Sequence, residues 1–150
     1  MFEPIDAATA ARWLLFSGAA AILWSSVLGL FMMIPHLRNA ALTKATRGVN
    51  FRQLLSAHLD WIMLAFMQAL AAGLLFAFDL AITLWVVAAL IFGGWMNAVP
   101  YFLRAFGINA FVFAGGVVQR TAAGLGAISV AAVIAGWSVL VWSAAKLMFG

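Results

Sequence analysis

The sequence predicts an all-α integral membrane protein, a four-transmembrane-helix bundle in a single domain covering residues 1–150. Composition is the first reason. Hydrophobic residues make up 67% of the chain and charged residues 8%, against about 45–50% and about 25% in soluble proteins, so too few charges remain to cover a globular surface. Length is the second: four apolar segments are each long enough for the roughly 20 residues a helix needs to cross a bilayer. Periodicity is the third. A closed β-barrel also satisfies its backbone in lipid, but its strands alternate apolar and polar residues, and these segments are apolar all round.

The first span runs from about Trp13 to Ile34 and stops at Pro35-His36-Leu37-Arg38. Before it, Met1 to Ala11 carries Glu3 and Asp6 and lacks the basic start of a signal peptide, so the span is expected to be retained. Asn39 to Asn50 reads as a solvated loop. The second span runs from about Leu54 to Phe78 and holds His58, Asp60 and Gln68; Asp79 then marks a tight turn, making spans two and three an antiparallel hairpin. The third runs from about Leu80 to Leu103 and holds Asn97, Pro100 and Tyr101. Ala105 to Gln119 is too short to span and too apolar for an ordinary loop. It extends span three, lies at the interface, or caps a site, with a bend at Gly115-Gly116. The fourth span runs from about Thr121 to Ala145, with Lys146 at its end.

The net charge of +4 rests on eight basic and four acidic residues. The basic ones lie mostly between the spans, where they set orientation rather than bind nucleic acid. Arg38, Lys44, Arg47, Arg52, Arg104 and Arg120 share one side, Arg12 and Lys146 the other, which puts the first and third connections in the cytoplasm and both termini outside. The chain has no cysteine. That excludes disulfides, thiolate metal sites and cysteine nucleophiles. Glycine-rich phosphate loops and the spacing of metalloproteases are absent as well.

Ionisable groups at bilayer depth cost about 2.5–3.5 kcal/mol on insertion scales, which makes each a functional candidate. His58 leads. Imidazole is the commonest metal and haem ligand, and the competing reading is a histidine near a helix end, bonded to a carbonyl or a headgroup. Asp60 lies two residues on, about 200° around a helix, so the two cannot share a face. It is either a second site residue or an interfacial partner of Arg52 or Arg104. Asn97 and Tyr101 stand four apart, on one face of span three, beside Pro100. They direct an amide and a phenol to one place, or belong to the usual interfacial belt. Trp95, with Gly93 and Gly94, fits close helix packing.

Ser56-Ala57-His58-Leu59-Asp60, followed by Ile62-Met63, resembles the Ser-Ala-His-Leu-Glu segment of bacterial hydroxylaminobenzene mutase-like membrane proteins. The position of His58, with Gly94-Trp95-Met96-Asn97 and Tyr101 downstream, also resembles that in styrene oxide isomerase. The resemblance covers spans two and three by motif and the others by length and hydropathy. It implies a homotrimer in the bacterial inner membrane, with haem b at the subunit interfaces and His58 ligating ferric iron. Trp95 would contact the cofactor, and Asn97 and Tyr101 would be the catalytic residues orienting a small apolar epoxide for rearrangement to an aldehyde. Asp60 would support the site from behind. Two positions depart from the pattern: an asparagine six residues after the histidine is Leu64 here, and an aspartate before the Gly-Trp pair is Gly93. Three readings follow: a haem-dependent isomerase (or a mutase-like rearrangement), a haem-binding protein without catalysis, and a cofactor-free structural or transport module.

Overall fold

Asp6 starts the first long helix. Its carboxylate accepts the Thr9 N–H at 2.8 Å, an N-cap that satisfies a backbone donor left free at the helix start. Hydrogen bonds from Thr9, its backbone N–H foremost and then its hydroxyl, hold the Asp6 carboxyl below its ordinary value. The computed structural model describes residues 4–150, and Glu3 lies outside them. Within that range the elements are β1 (Pro4–Ile5), α1 (Ala7–Met32), a 3-10 turn (Ile34–Leu37), α2 (Ala40–Ala45), α3 (Phe51–Ala77), β2 (Ile82–Thr83), α4 (Leu84–Met96), α5 (Val99–Ala105) and α6 (Val117–Phe149).

Helix dominates, and four helical stretches are long and apolar enough to cross a membrane: Ala7–Leu37, Phe51–Ala77, Leu84–Ala105 and Val117–Phe149. Their limits differ from those expected, each for a local reason. The first begins at Ala7 rather than Trp13 because the Asp6 cap comes before the alanine-rich turns. Asn50 likewise caps α3 by accepting the Gln53 N–H, so that helix starts at Phe51. At its far end Asp79 is left-handed (φ 47°) and the Leu80 N–H returns to the Leu75 carbonyl at 3.0 Å, a Schellman-type closure.

The third span does not start at Leu80. Ile82 and Thr83 are extended and pair antiparallel with Ile5 and Pro4, tying the chain's start to the turn between α3 and α4. Pro100, which has no N–H to donate, sits near the start of α5; the helix breaks over Asn97-Ala98 between α4 and α5. The last helix is longer than its apolar stretch at both ends. Its 33 residues run about 50 Å, more than a hydrocarbon core requires. The first connection is not simply a solvated loop, since it holds the 3-10 turn and α2.

Two buried clusters organise the bundle. At the end bearing β1 and β2, Leu14, Leu75, Val86, Val87 and Leu140 meet. At the opposite end, Leu28, Leu54, Trp61, Leu64 and Ala105 do so, ringed by Trp95, Tyr101 and Phe102. There the Asn50 N–H donates to the Ala105 carbonyl at 2.8 Å, joining the two connections. Close approach of the helices depends on small residues: a Cβ on Gly18 would stand 3.0 Å from the Ala65 carbonyl oxygen, and one on Gly136 would stand 2.9 Å from Leu90.

Candidate functional site

His58 sits two turns into α3, about 10 Å along its axis. Its Nδ1 lies 2.8 Å from the Ser25 carbonyl oxygen and 2.8 Å from Ser25 Oγ, while Ser25 Oγ donates to the His58 carbonyl at 2.8 Å. With the hydroxyl proton given to that carbonyl, the contacts assign the ring proton to Nδ1, which donates to the Ser25 carbonyl. The lone pair is then left on Nε2. Ser25 is fully buried on α1, and the imidazole is half-buried. One turn beyond Ser25, Gly29 faces the ring; a Cβ there would stand 3.4 Å from Cε1.

Asp60 faces elsewhere, as the helical spacing requires. Its Oδ2 is 3.5 Å from Asn97 Nδ2, a long contact across to the α4–α5 break. Among the described residues no ion pair joins it to Arg52 or Arg104, so its neighbour is an amide rather than a cation.

Asn97 and Tyr101 share one cavity of about 390 Å3, with Pro100, Phe111, Gly126 and Val130 among its walls. The volume suits a small apolar molecule. The segment between α5 and α6 forms one wall through Ala110, Phe111 and Phe113, so of the three arrangements open to Ala105–Gln119 it adopts the cap. Phe111 is held edge-on to Tyr101 at 4.9 Å between ring centroids and beneath the Arg104 guanidinium at 5.5 Å. Gly115, with φ 94°, makes the bend that returns the chain to α6.

Neither His58 nor Trp95 lines that cavity. The Trp95 indole N–H donates to Ser17 Oγ at 3.0 Å, and its carbonyl accepts the Trp61 indole N–H at 3.1 Å. Its ring borders a separate apolar groove between α1 and α4, with Trp13, Phe16 and Ile91. Within one chain, then, the structure brings Asp60, Asn97 and Tyr101 to one side, and leaves His58 against α1 and Trp95 in a third place.

The two positions that depart from the motifs the sequence resembles, Leu64 and Gly93, have structural partners. Leu64 is buried beside Gln68 at a cavity of about 10 Å3, far too small for a substrate. Gln68 lies one turn further along α3, 2% exposed, and neither of its side-chain polar atoms has a hydrogen bond. A Cβ on Gly93 would collide with Val133 and stand 3.0 Å from the Ser129 carbonyl oxygen; one on Gly94 would collide with the Gln68 amide. Backbone atoms of α6 leave room only for glycine at 93, so an aspartate has no space there while α6 lies where it does, whereas at 94 the Gln68 amide would have to swing aside.

Sequence reasoning passed over Ser25 and the cap residues Phe111 and Phe113. A serine in an apolar span is a weak signal by itself, and a loop phenylalanine gives none until the chain folds it back. Among the described residues no three His, Asp or Glu side chains gather to hold a bare metal ion. Comparison with known proteins finds no matching family model, no similar curated protein and no similar solved structure.

Proposed function

We propose that this chain is a haem b-dependent membrane isomerase that rearranges an apolar aryl epoxide such as styrene oxide to the aldehyde, acting as a homotrimer. The observation that supports it most is the Ser25–His58 pair. A ligating histidine ordinarily donates its second ring N–H to a carbonyl or carboxylate, which fixes its tautomer and raises its basicity. The Ser25 carbonyl accepts this proton from His58 Nδ1 and leaves Nε2 as the ring's lone-pair nitrogen, so the donor chemistry of His58 suits an iron ligand. When bound, ferric haem supplies a Lewis acid for the epoxide oxygen.

The chain's own residues do the rest. Tyr101 and Asn97 donate hydrogen bonds that orient the substrate, with Asp60 restraining the Asn97 amide. Phe111 and Phe113 keep water from the opened ring, which would otherwise be captured as a diol. Product and substrate contain the same atoms, so no cosubstrate is consumed. His58 and the Asn97–Tyr101 cavity face different neighbours, so the reading requires that one subunit bring its histidine to the cavity of the next. The six basic residues of the two connections support a cytoplasmic setting for that end.

The test is an optical spectrum of detergent-purified protein given stoichiometric haem. A Soret band in the wild type that is lost in His58→Ala is the expected result; its absence from the wild type would sink the proposal. A second reading, haem binding without catalysis, draws on the separation of His58 from the cavity. It requires a spectrum indifferent to added styrene oxide and no phenylacetaldehyde formed. The isomerase requires a spectral shift and the aldehyde.

A further inference from the structure

The connection between the first two spans carries Arg38, Lys44 and Arg47 and, from Ile34 through Gln53, not one carboxylate. The 3-10 turn and α2 fold it into an open groove of about 700 Å3, lined by these three cations and by Thr43, with Pro35 and Phe51 as apolar walls. Each of the three side chains is exposed, and among the described residues none is in an ion pair. Arg38 is left-handed (φ 51°) at the end of the 3-10 turn, an uncommon conformation for a non-glycine residue; it reverses the chain there. Phe51 stacks on Phe31 of α1 at 6.1 Å, so the apolar wall continues into the bundle.

We propose that this groove is a binding site for the phosphate of an anionic glycerophospholipid. Three unpaired cations around one concavity need a counter-ion that the chain does not provide. The groove joins two membrane-crossing helices, which puts it at the depth where lipid phosphates lie. Its lining combines these cations with the apolar Pro35, Val49 and Phe51, which suits a headgroup together with the glycerol and acyl chains attached to it. The site is independent of haem and of the isomerase reading.

Native mass spectrometry of the protein released from nanodiscs with equal phosphatidylglycerol and phosphatidylcholine tests it. The wild type should retain phosphatidylglycerol in preference by about fivefold or more, a margin each near-surface cation can supply. The preference should vanish in Arg38→Gln/Lys44→Gln/Arg47→Gln and survive in Arg38→Lys/Arg47→Lys. It should also survive in Arg104→Gln/Arg120→Gln, which removes charge from the same end outside the groove. Millimolar inorganic phosphate should not displace the lipid. The proposal is overturned by no preference in the wild type or by its persistence in the triple variant. Loss of the preference in Arg104→Gln/Arg120→Gln to the same extent would mean diffuse charge, and displacement by phosphate would mean that the free ion is the ligand.

Discussion

The two ends of the bundle are built from different chemistry. At the end bearing the short strands, the buried residues are aliphatic: leucines, valines and alanines from α1, α3, α4 and α6, with Leu80 and Ile82 from the turn. Partly buried side chains packed against it, Phe78 and Trp137 among them, are largely apolar too. At the other end Trp61 packs against Trp24 and Phe102, and Ser25, His58, Asp60, Asn97 and Tyr101 are all found there. The helices differ in the same sense. α4 is unbroken where it meets the aliphatic cluster and gives way at Asn97, where the polar groups begin. Polar groups in lipid are costly to bury, and the end that gathers these side chains is the one to which the proposed site belongs.

Substitutions at the two ends should therefore fail in different ways. The largest effect is expected from Leu140→Ala, fully buried in the aliphatic cluster. It should lower stability by about 2–4 kcal/mol in equilibrium unfolding and leave the haem spectrum of the surviving fold unchanged. A changed spectrum would show that the two ends are not separate. At the other end, Tyr101→Phe should cut turnover about 100-fold. Since its hydroxyl has no hydrogen bond among the described residues, the same change should leave the unfolding midpoint where it was. A midpoint that moved as far as that of Leu140→Ala would make Tyr101 a structural residue.

Ser25→Ala tests the link between helix packing and the proposed haem ligation. The Ser25 carbonyl stays, so His58 keeps its tautomer, but the hydroxyl contact to Nδ1 and the bond to the His58 carbonyl are lost. Haem affinity should fall by about tenfold, read by titration of the Soret band, with the band itself retained. Unaltered affinity would leave Ser25 with packing alone. The smallest effect is expected at Asp6, on the exposed margin of the scaffold end. Its carboxyl lies below its ordinary value of 3.8, so the cap stabilises the fold above that pH and is lost as pH falls through the lowered value. Wild type and Asp6→Ala should thus differ slightly at neutral pH and converge in acid, as followed by thermal unfolding.

Much of the fold was legible because it is a property of single segments. Hydropathy and length identified four spans, and their all-round apolarity excluded a barrel. Helical spacing separated His58 from Asp60 and put Asn97 and Tyr101 together, and both relations hold in the structure. Element limits were less legible. Asp6 and Asn50 are ordinary polar residues until their side chains turn back onto the following N–H groups, and residues 80–83 read as helix because nothing in them announces a strand partner at Pro4–Ile5.

The site was legible only in its ingredients. The sequence by itself determined that a histidine, a carboxylate, an amide and a phenol would lie in membrane-crossing segments, and that His58 and Asp60 would stand on different faces, since rotation per residue is constant along an unbroken helix. Tertiary structure alone decided what those faces meet: Ser25 under His58, Asn97 beside Asp60, Phe111 over Tyr101, and Val133 filling the space an aspartate at 93 would need. The physical reason is that lipid exerts little hydrophobic preference between helix faces. Which surfaces come together in the bundle is set by small-residue contacts and a few hydrogen bonds between segments far apart in the chain, and no single segment encodes that choice.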